Sequence, residues 1–220
     1  MKLWRKVAYA EGNFANTVCA QVFTNRIQFY YVDVLGVSAG IIGLLWSLFG
    51  IWNAANDPLM GAISDRTRSR WGRRVPYLAF GAIPVGLAFF LMWIPPRSSM
   101  GLTAAYFFAT VVIFDGLYSL LVMAYNALFP EVAVELRDRS SLSAIRTGMG
   151  VLALLVAYIL APVLSESIGY VGMGAVIAVL TSMGYLIVIL GSREDPERMK
   201  EPAEGLINAL RLTLNSVPYR

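Results

Sequence analysis

Residues 52–74 read WNAANDPLMGAISDRTRSRWGRR. An apolar run ends in Asn53, Asn56, Asp57 and Pro58, and five arginines follow between positions 66 and 74. Amides and a carboxylate at one end of an apolar run, with a basic connection directly after it, mark the end of a membrane-spanning helix. The rest of the chain agrees. Of 220 residues, 57% are hydrophobic and only 15% charged, and the mean hydropathy is +0.61, well outside the balance of a soluble domain. Charged residues are scarce over 8–64, 76–130 and 147–192. That leaves six segments of about twenty apolar residues or more, the length that crosses a bilayer as a helix, at 9–32, 38–63, 76–95, 101–127, 146–167 and 170–191. The expected fold is an all-α membrane protein with six transmembrane helices. Pro95, Pro96, Gly101, Pro130 and the SESIG stretch at 165–169 supply the breaks.

Basic residues sort to one side. Lys2, Arg5 and Lys6 precede the first span, the five arginines follow the second, Arg137 and Arg139 follow the fourth, and Arg193, Arg198 and Lys200 follow the sixth. The alternate connections hold a single basic residue, Arg97. The positive-inside rule then places both termini in the cytoplasm, as expected for a plasma-membrane protein. The opening residues turn polar where a signal peptide needs its apolar core, so the first span is expected in the mature protein. Residues 1–192 form the expected bundle. Residues 193–220 read as a charged cytoplasmic linker with a short amphipathic helix, leading towards a second six-helix bundle.

Several function classes drop out. The chain has no histidine, which removes the usual acid–base and nucleophile constellations, and no phosphate-cradling loop, so an enzyme is not expected. The net charge of +4 is spread over short clusters between spans, so nucleic acid is not an expected partner. The single cysteine, Cys19, excludes an intrachain disulfide and reads as a packing residue.

Polar groups inside the spans carry the functional signal. At 100° per residue, Asn13, Thr17, Gln21, Thr24, Gln28 and Tyr31 share one stripe of span one, which faces the bundle interior, for interhelical hydrogen bonds or a solvated path. On span two, Trp46, Gly50, Asn53 and Asp57 share a face with Asn56 beside them. Pro58 leaves the carbonyl of Ala54 without its helical donor, so oxygen ligands suited to a hard cation gather there. Span four carries Asp115, Ser119, Val122 and Asn126 at helical spacing, with Tyr118 and Tyr125 alongside, and Asp115 requires a partner. Arg26 lies opposite the stripe of span one and is expected to pair with Asp33.

GAISDRTRSRWGRR resembles the signature between the second and third helices of major facilitator superfamily transporters, with Gly61, Asp65, Arg66, Gly72, Arg73 and Arg74 at its positions. YYVDVLG at 30–36, NDPLMG at 56–61, TRSRWGRRVPYL at 67–78 and YNALFPEVAVELRDRSSLSAIR at 125–146 resemble one branch, the melibiose permease-like glycoside-pentoside-hexuronide:cation symporters. The resemblance implies the amino-terminal bundle of a twelve-helix transporter in two pseudo-symmetric halves, embedded in the lipid bilayer and working by alternating access. It implies gating by Gly61, Asp65, Arg66, Arg73 and Arg74, and a cation site of Asp57, Asn53, Asn56 and Ser119, with Asp57 as the ligand to a monovalent cation. It also implies a small-solute site of Thr17, Gln21, Tyr118, Asn126 and Arg146. Asn53, Thr17 and Val122 stand where sugar/sodium members of the branch place carboxylates. The coupling ion, Na+ or H+, or the absence of coupling, stays open. No other cofactor is implied. A lysolipid or other amphipathic solute carrier of the same branch, a non-transporting scaffold or assembly subunit, and a half-size transporter working as a homodimer are the alternative readings.

Overall fold

Apolar segments with no water to bond their backbone close their hydrogen bonds internally, and this chain does so as helices. The computed structural model describes residues 1–66, 69 and 72–192, without the side chains of Asp57, Ala62, Asp65 and Arg66. The expected linker and amphipathic helix over 193–220 lie outside the described residues. Helix α1 (Leu3–Phe29) runs into a wide π turn at Tyr30–Val34. It is followed by α2 (Ala39–Arg66), α3 (Val75–Leu91) and α4 (Met100–Val132). Helix α5 (Leu136–Leu155), a second π turn at Val156–Leu160 and α6 (Ala161–Ser167) form one continuous rod, and α7 (Gly169–Gly191) closes the described chain.

Among the described residues, four stretches are long and apolar enough to cross a membrane: Ala39–Gly61, Met100–Val132, Leu136–Ser167 and Gly169–Gly191. Val75–Leu91 is equally apolar but shorter, and α1, with 27 residues, has the length but carries Glu11, Arg26 and the amide stripe. Three junctions turn at glycines with positive φ, Gly36, Gly72 and Gly169. At Gly72, φ is 109°, a conformation that side chains other than hydrogen rarely adopt, while its N–H donates to the Ser69 carbonyl at 3.1 Å and its own carbonyl accepts from the Ser69 hydroxyl at 2.7 Å.

Two expected boundaries move. Pro130 does not break the chain: it sits in the last turn of α4, which ends two residues later at Val132, because a proline there forfeits only the donor to Asn126. Arg137 and Arg139, read as loop residues, belong to the first turn of α5, where Arg139 Nε donates to the Ala133 carbonyl at 2.8 Å and holds the α4–α5 corner.

Helix α1 packs on α7 and α5, α3 on α7 and α4, and α2 on α4. The α1–α7 seam is built from small residues, as membrane helix pairs use where no apolar driving force pulls them together. A Cβ added at Gly184 would lie 2.6 Å from Ala15 Cβ, and one at Gly191 would lie 2.6 Å from both the Arg5 carbonyl oxygen and the Tyr9 nitrogen. Tyr9 and Tyr125 join α1 to α4 by stacking at 4.9 Å and by each donating its hydroxyl to the other's carbonyl, at 2.7 and 3.2 Å.

The end of α3 is closed by tyrosines. The carbonyls of Leu91, Met92 and Trp93, at and just beyond the end of α3, receive the hydroxyls of Tyr106, Tyr31 and Tyr30 at 2.8, 2.9 and 3.0 Å, and that of Leu91 also accepts from the Ile94 N–H at 3.2 Å. Tyr30 also stacks on Tyr170 of α7 at 4.8 Å. YYVDVLG therefore has a packing role: the π turn carries both hydroxyls onto the end of α3.

Gly191→Ala should lower stability by about 1–3 kcal/mol, because the new methyl meets backbone that cannot rotate away. Thermal unfolding in detergent would read this, and an unchanged midpoint would mean that α1 and α7 are not seated so closely. Tyr31→Phe removes one interhelical hydrogen bond and should cost about 1 kcal/mol in the same assay.

Candidate functional site

The polar stripe of α1 faces α5 and its π turn. Asn13 Nδ2 donates to the Arg146 carbonyl at 2.8 Å, Thr17 lies beside Gly150, and Gln21 Oε1 accepts from the Tyr158 hydroxyl at 3.1 Å. Tyr31 turns instead to α3, while Thr24 and Gln28 are exposed. Interhelical bonding thus uses three of the six stripe residues, Asn13, Gln21 and Tyr31. One turn from Asn13, Asn16 accepts from the Tyr118 hydroxyl of α4 through its side-chain oxygen.

Arg146, half-buried, lies against three aromatic rings. Its guanidinium carbon sits 4.9 Å from the Tyr125 ring centroid, 5.1 Å from that of Phe129 and 5.9 Å from that of Tyr9, and Nη2 donates to Asn126 Oδ1 at 3.0 Å. The periodicity of α4 places Tyr125, Asn126 and Phe129 at one end of that helix, and Tyr9 joins them through its stack on Tyr125.

A second polar group lies between α2 and α4. Asp115 Oδ2 accepts from Trp52 Nε1 at 3.0 Å and from Asn56 Nδ2 at 2.9 Å. The carboxylate fixes the amide: with Nδ2 turned to Asp115, Asn56 Oδ1 is buried without a hydrogen-bond partner. Gly116 leaves room there, its Cβ position being 3.6 Å from Trp52 and 3.9 Å from Asn56 Oδ1. Ser119, one turn along α4 from Asp115, is buried, whereas Asn53 is exposed. Trp52 and Asn56 are therefore among the partners that Asp115 requires.

At the end that carries the N-terminus, the arginine motif contributes Arg74. Its guanidinium pairs with Glu131 and donates to the Ala127 carbonyl, binding the start of α3 to the last turn of α4, where a cation also meets the negative pole of the helix. Arg73 is half-buried after the Gly72 turn, and Gly61 faces Met123 at 3.5 Å from its Cβ position. The side chains of Asp57, Asp65 and Arg66 lie outside the described residues. The α1 end is fastened separately, with Asp138 taking Lys6 and the N-terminal amine, each at 2.7 Å.

Among the named candidates, the structure joins Asn126 to Arg146 and puts Asn56 and Ser119 on the α2–α4 side. Thr17, Gln21 and Tyr118 are spread along α1 and α4 with separate partners. The expected Arg26–Asp33 ion pair does not form: the two side chains are not within 4 Å of each other, because the helix widens into its π turn between them. Trp52, Asp115, Tyr9, Phe129 and Glu131 were not among the candidates for these roles. Glu131 was legible only as part of the 125–146 motif, and Trp52 carries no polar signal in an apolar run.

The family described as MFS/sugar transport protein matches residues 8–216. The uncharacterized symporter sll1374 of Synechocystis is 34% identical over 165 residues, which is 70% of this chain and 30% of that protein. The isoprimeverose transporter of Lactiplantibacillus pentosus is 28% identical over 198 residues, 86% of this chain and 41% of its own length. The inner membrane symporter YicJ of Escherichia coli is 28% identical over 201 residues, 90% of this chain and 44% of its own. The chain spans less than half the length of each of these relatives.

Asn56→Ala removes one donor to a carboxylate at membrane depth and should lower stability by about 1–3 kcal/mol. Asn56→Asp would face Asp115 with a like charge and should cost more, so an equal or smaller loss in thermal unfolding would contradict the Asn56–Asp115 bond.

Proposed function

This chain belongs to the MFS/sugar transport protein family, and from that premise we propose that residues 1–192 are the amino-terminal six-helix half of a secondary transporter for a sugar or related small solute. The six spans are α1, α2, α3, α4, the α5–α6 rod and α7. The family consists of transporters, not enzymes. The second bundle comes from the remainder of a longer chain or from another subunit, and the concentration of basic residues in alternate connections supports cytoplasmic termini.

The observation that carries this reading is the pair of polar groups held at membrane depth, Asn56 with Asp115 on α2–α4 and Arg146 with Asn126 on α4–α5. Polar side chains cost free energy in hydrocarbon and persist where they meet a solute or ion. In this reading, solute enters between the bundles against Thr17, Gln21, Tyr118, Asn126 and Arg146. Cation coupling runs through Asp57 with Asn53, Asn56 and Ser119, and the unbonded Asn56 Oδ1 supports an oxygen ligand there. Asn53 supplies an oxygen without a charge, so affinity for Na+ is lower than with two carboxylates, or a proton on Asp57 takes the place of the ion. Arg74 with Glu131, together with Gly61, Asp65, Arg66 and Arg73, forms the gate that locks the α2–α3 connection against α4 on one side of the membrane.

Asp57→Asn in the full-length protein should abolish ion-dependent solute uptake into proteoliposomes while leaving expression unchanged. Uptake that keeps its full dependence on the ion gradient in this variant would rule out Asp57 as the coupling residue.

A further inference from the structure

Asn56 is 1% exposed, and its amide meets α4 in one orientation only. Its Nδ2 donates to Asp115 Oδ2 at 2.9 Å and reaches the backbone carbonyl of the same residue at 3.4 Å. Rotated by half a turn, the amide would set Oδ1 against those two oxygens, and neither has a hydrogen to give. Asp115 thereby fixes which end of Asn56 faces the carboxylate and which faces away. Trp52, one turn earlier on α2, donates Nε1 to the same Oδ2 at 3.0 Å, so the carboxylate is itself held from α2.

The consequence lies at the other end of the amide. Asn56 Oδ1 is buried without a hydrogen-bond partner. A buried acceptor left unanswered costs free energy, and the rotation that would turn it elsewhere is blocked by Asp115. An amide oxygen suits a hard cation, whereas the amide nitrogen, which only donates, cannot bind one. Ser119, buried one turn along α4 from Asp115, and Asp57, next to Asn56 on α2, are the neighbouring positions in sequence that carry side-chain oxygen.

We propose that Asp115 is a positioning residue for a coupling metal cation: it does not touch the cation, and by accepting the Asn56 amide N–H it turns the Asn56 oxygen towards it. This rests on the transporter reading. An acceptor-only group at position 115 keeps the amide in its orientation, and a group that can also donate lets the amide present its nitrogen instead. Cation affinity then falls although Asn56 itself is intact.

The test uses the full-length protein in detergent, with NaCl or LiCl against choline chloride at constant ionic strength. Cation affinity is read from the rise of the unfolding midpoint with cation concentration, beside uptake of xylose and methyl β-glucoside into proteoliposomes. Asp115→Asn keeps the size of the side chain but adds a donor for Asn56 Oδ1, so cation affinity should fall about tenfold or more. The cation KM should rise in proportion, with the maximal rate within about twofold. Asp115→Glu keeps an acceptor that cannot donate and should hold affinity within about threefold of the unaltered protein. The deciding comparison is made in Asn56→Ala, which itself weakens cation binding: adding Asp115→Asn should change affinity there by less than about twofold, because no amide remains to be turned. A further fall of about tenfold in that background means that Asp115 acts on the cation directly and overturns the proposal. So does an unchanged affinity in Asp115→Asn alone. Should the double variant not fold, Asp115→Glu decides, and a loss equal to that of Asp115→Asn overturns the proposal. Uptake driven by a proton gradient, with no stabilisation by Na+ or Li+, refutes the positioning role while sparing the transporter; no stabilisation and no uptake of either solute refute both.

Discussion

A helix that ends inside or near hydrocarbon leaves carbonyls that no water answers, and the arrangement of this bundle follows from how those carbonyls are met. Helix α3 is the shortest of the six spans, and the carbonyls of Leu91, Met92 and Trp93 at its end receive hydroxyls from α4 and from the π turn after α1. Those bonds set the depth at which α1 and α4 stand against α3. At the other end, the Arg74 guanidinium performs the equivalent service for the last turn of α4. With both ends fixed, the glycine and alanine contacts of α1 on α7 come into register. The core then fills with aromatic rings around Trp93, Phe89 and Phe114.

The two polar groups at depth differ in how their charge is settled. Asp115 spends its carboxylate on two neutral donors, which is enough to hold α2 on α4 and to orient an amide whose oxygen is left to bind something else. Arg146 is held by faces and by one amide oxygen, which fix where it points without cancelling what it carries. One group ties α2 to α4 and the other ties α5 to α4, although both read from the sequence only as ionisable residues in apolar helices.

Composition and periodicity carried much of the fold because they act within one helix. The glycine junction at Gly169 was legible from residues alone, whereas Gly101 lies inside α4 and the amide stripe of α1 is buried only in part. Partners across helices were not. Nothing in the spacing of α4 says that Asp115 meets Trp52 and Asn56 rather than a cation, since the choice depends on the rotation of α2 about its axis. The expected Arg26–Asp33 pair assumed seven residues of regular helix, and the widened turn at Tyr30–Val34 alters that spacing. Pro130 was given more weight as a breaker than a proline in a final turn has. The solute-site residues were reachable through motif resemblance, but the ring contacts of Arg146 draw in Tyr9 from 137 positions away in the chain, beyond any local pattern.

The π turn at Val156–Leu160 has a mechanical consequence. In a regular helix, residues four apart advance by about 40° around the axis, so a row of them winds off to one side. The wider turn takes up most of that advance, and Ala153, Ala157 and Ala161, all buried, fall nearly into line. This part of the rod presents a row of alanine methyl groups to the bundle, flanked by Val156 and Leu164, which pack against the core, and by Tyr158, whose hydroxyl reaches Gln21. Helix α1 can therefore lie close against the rod there, and the bonds from Tyr158 to Gln21 and from Asn13 to the Arg146 carbonyl fix its register beside the alanines.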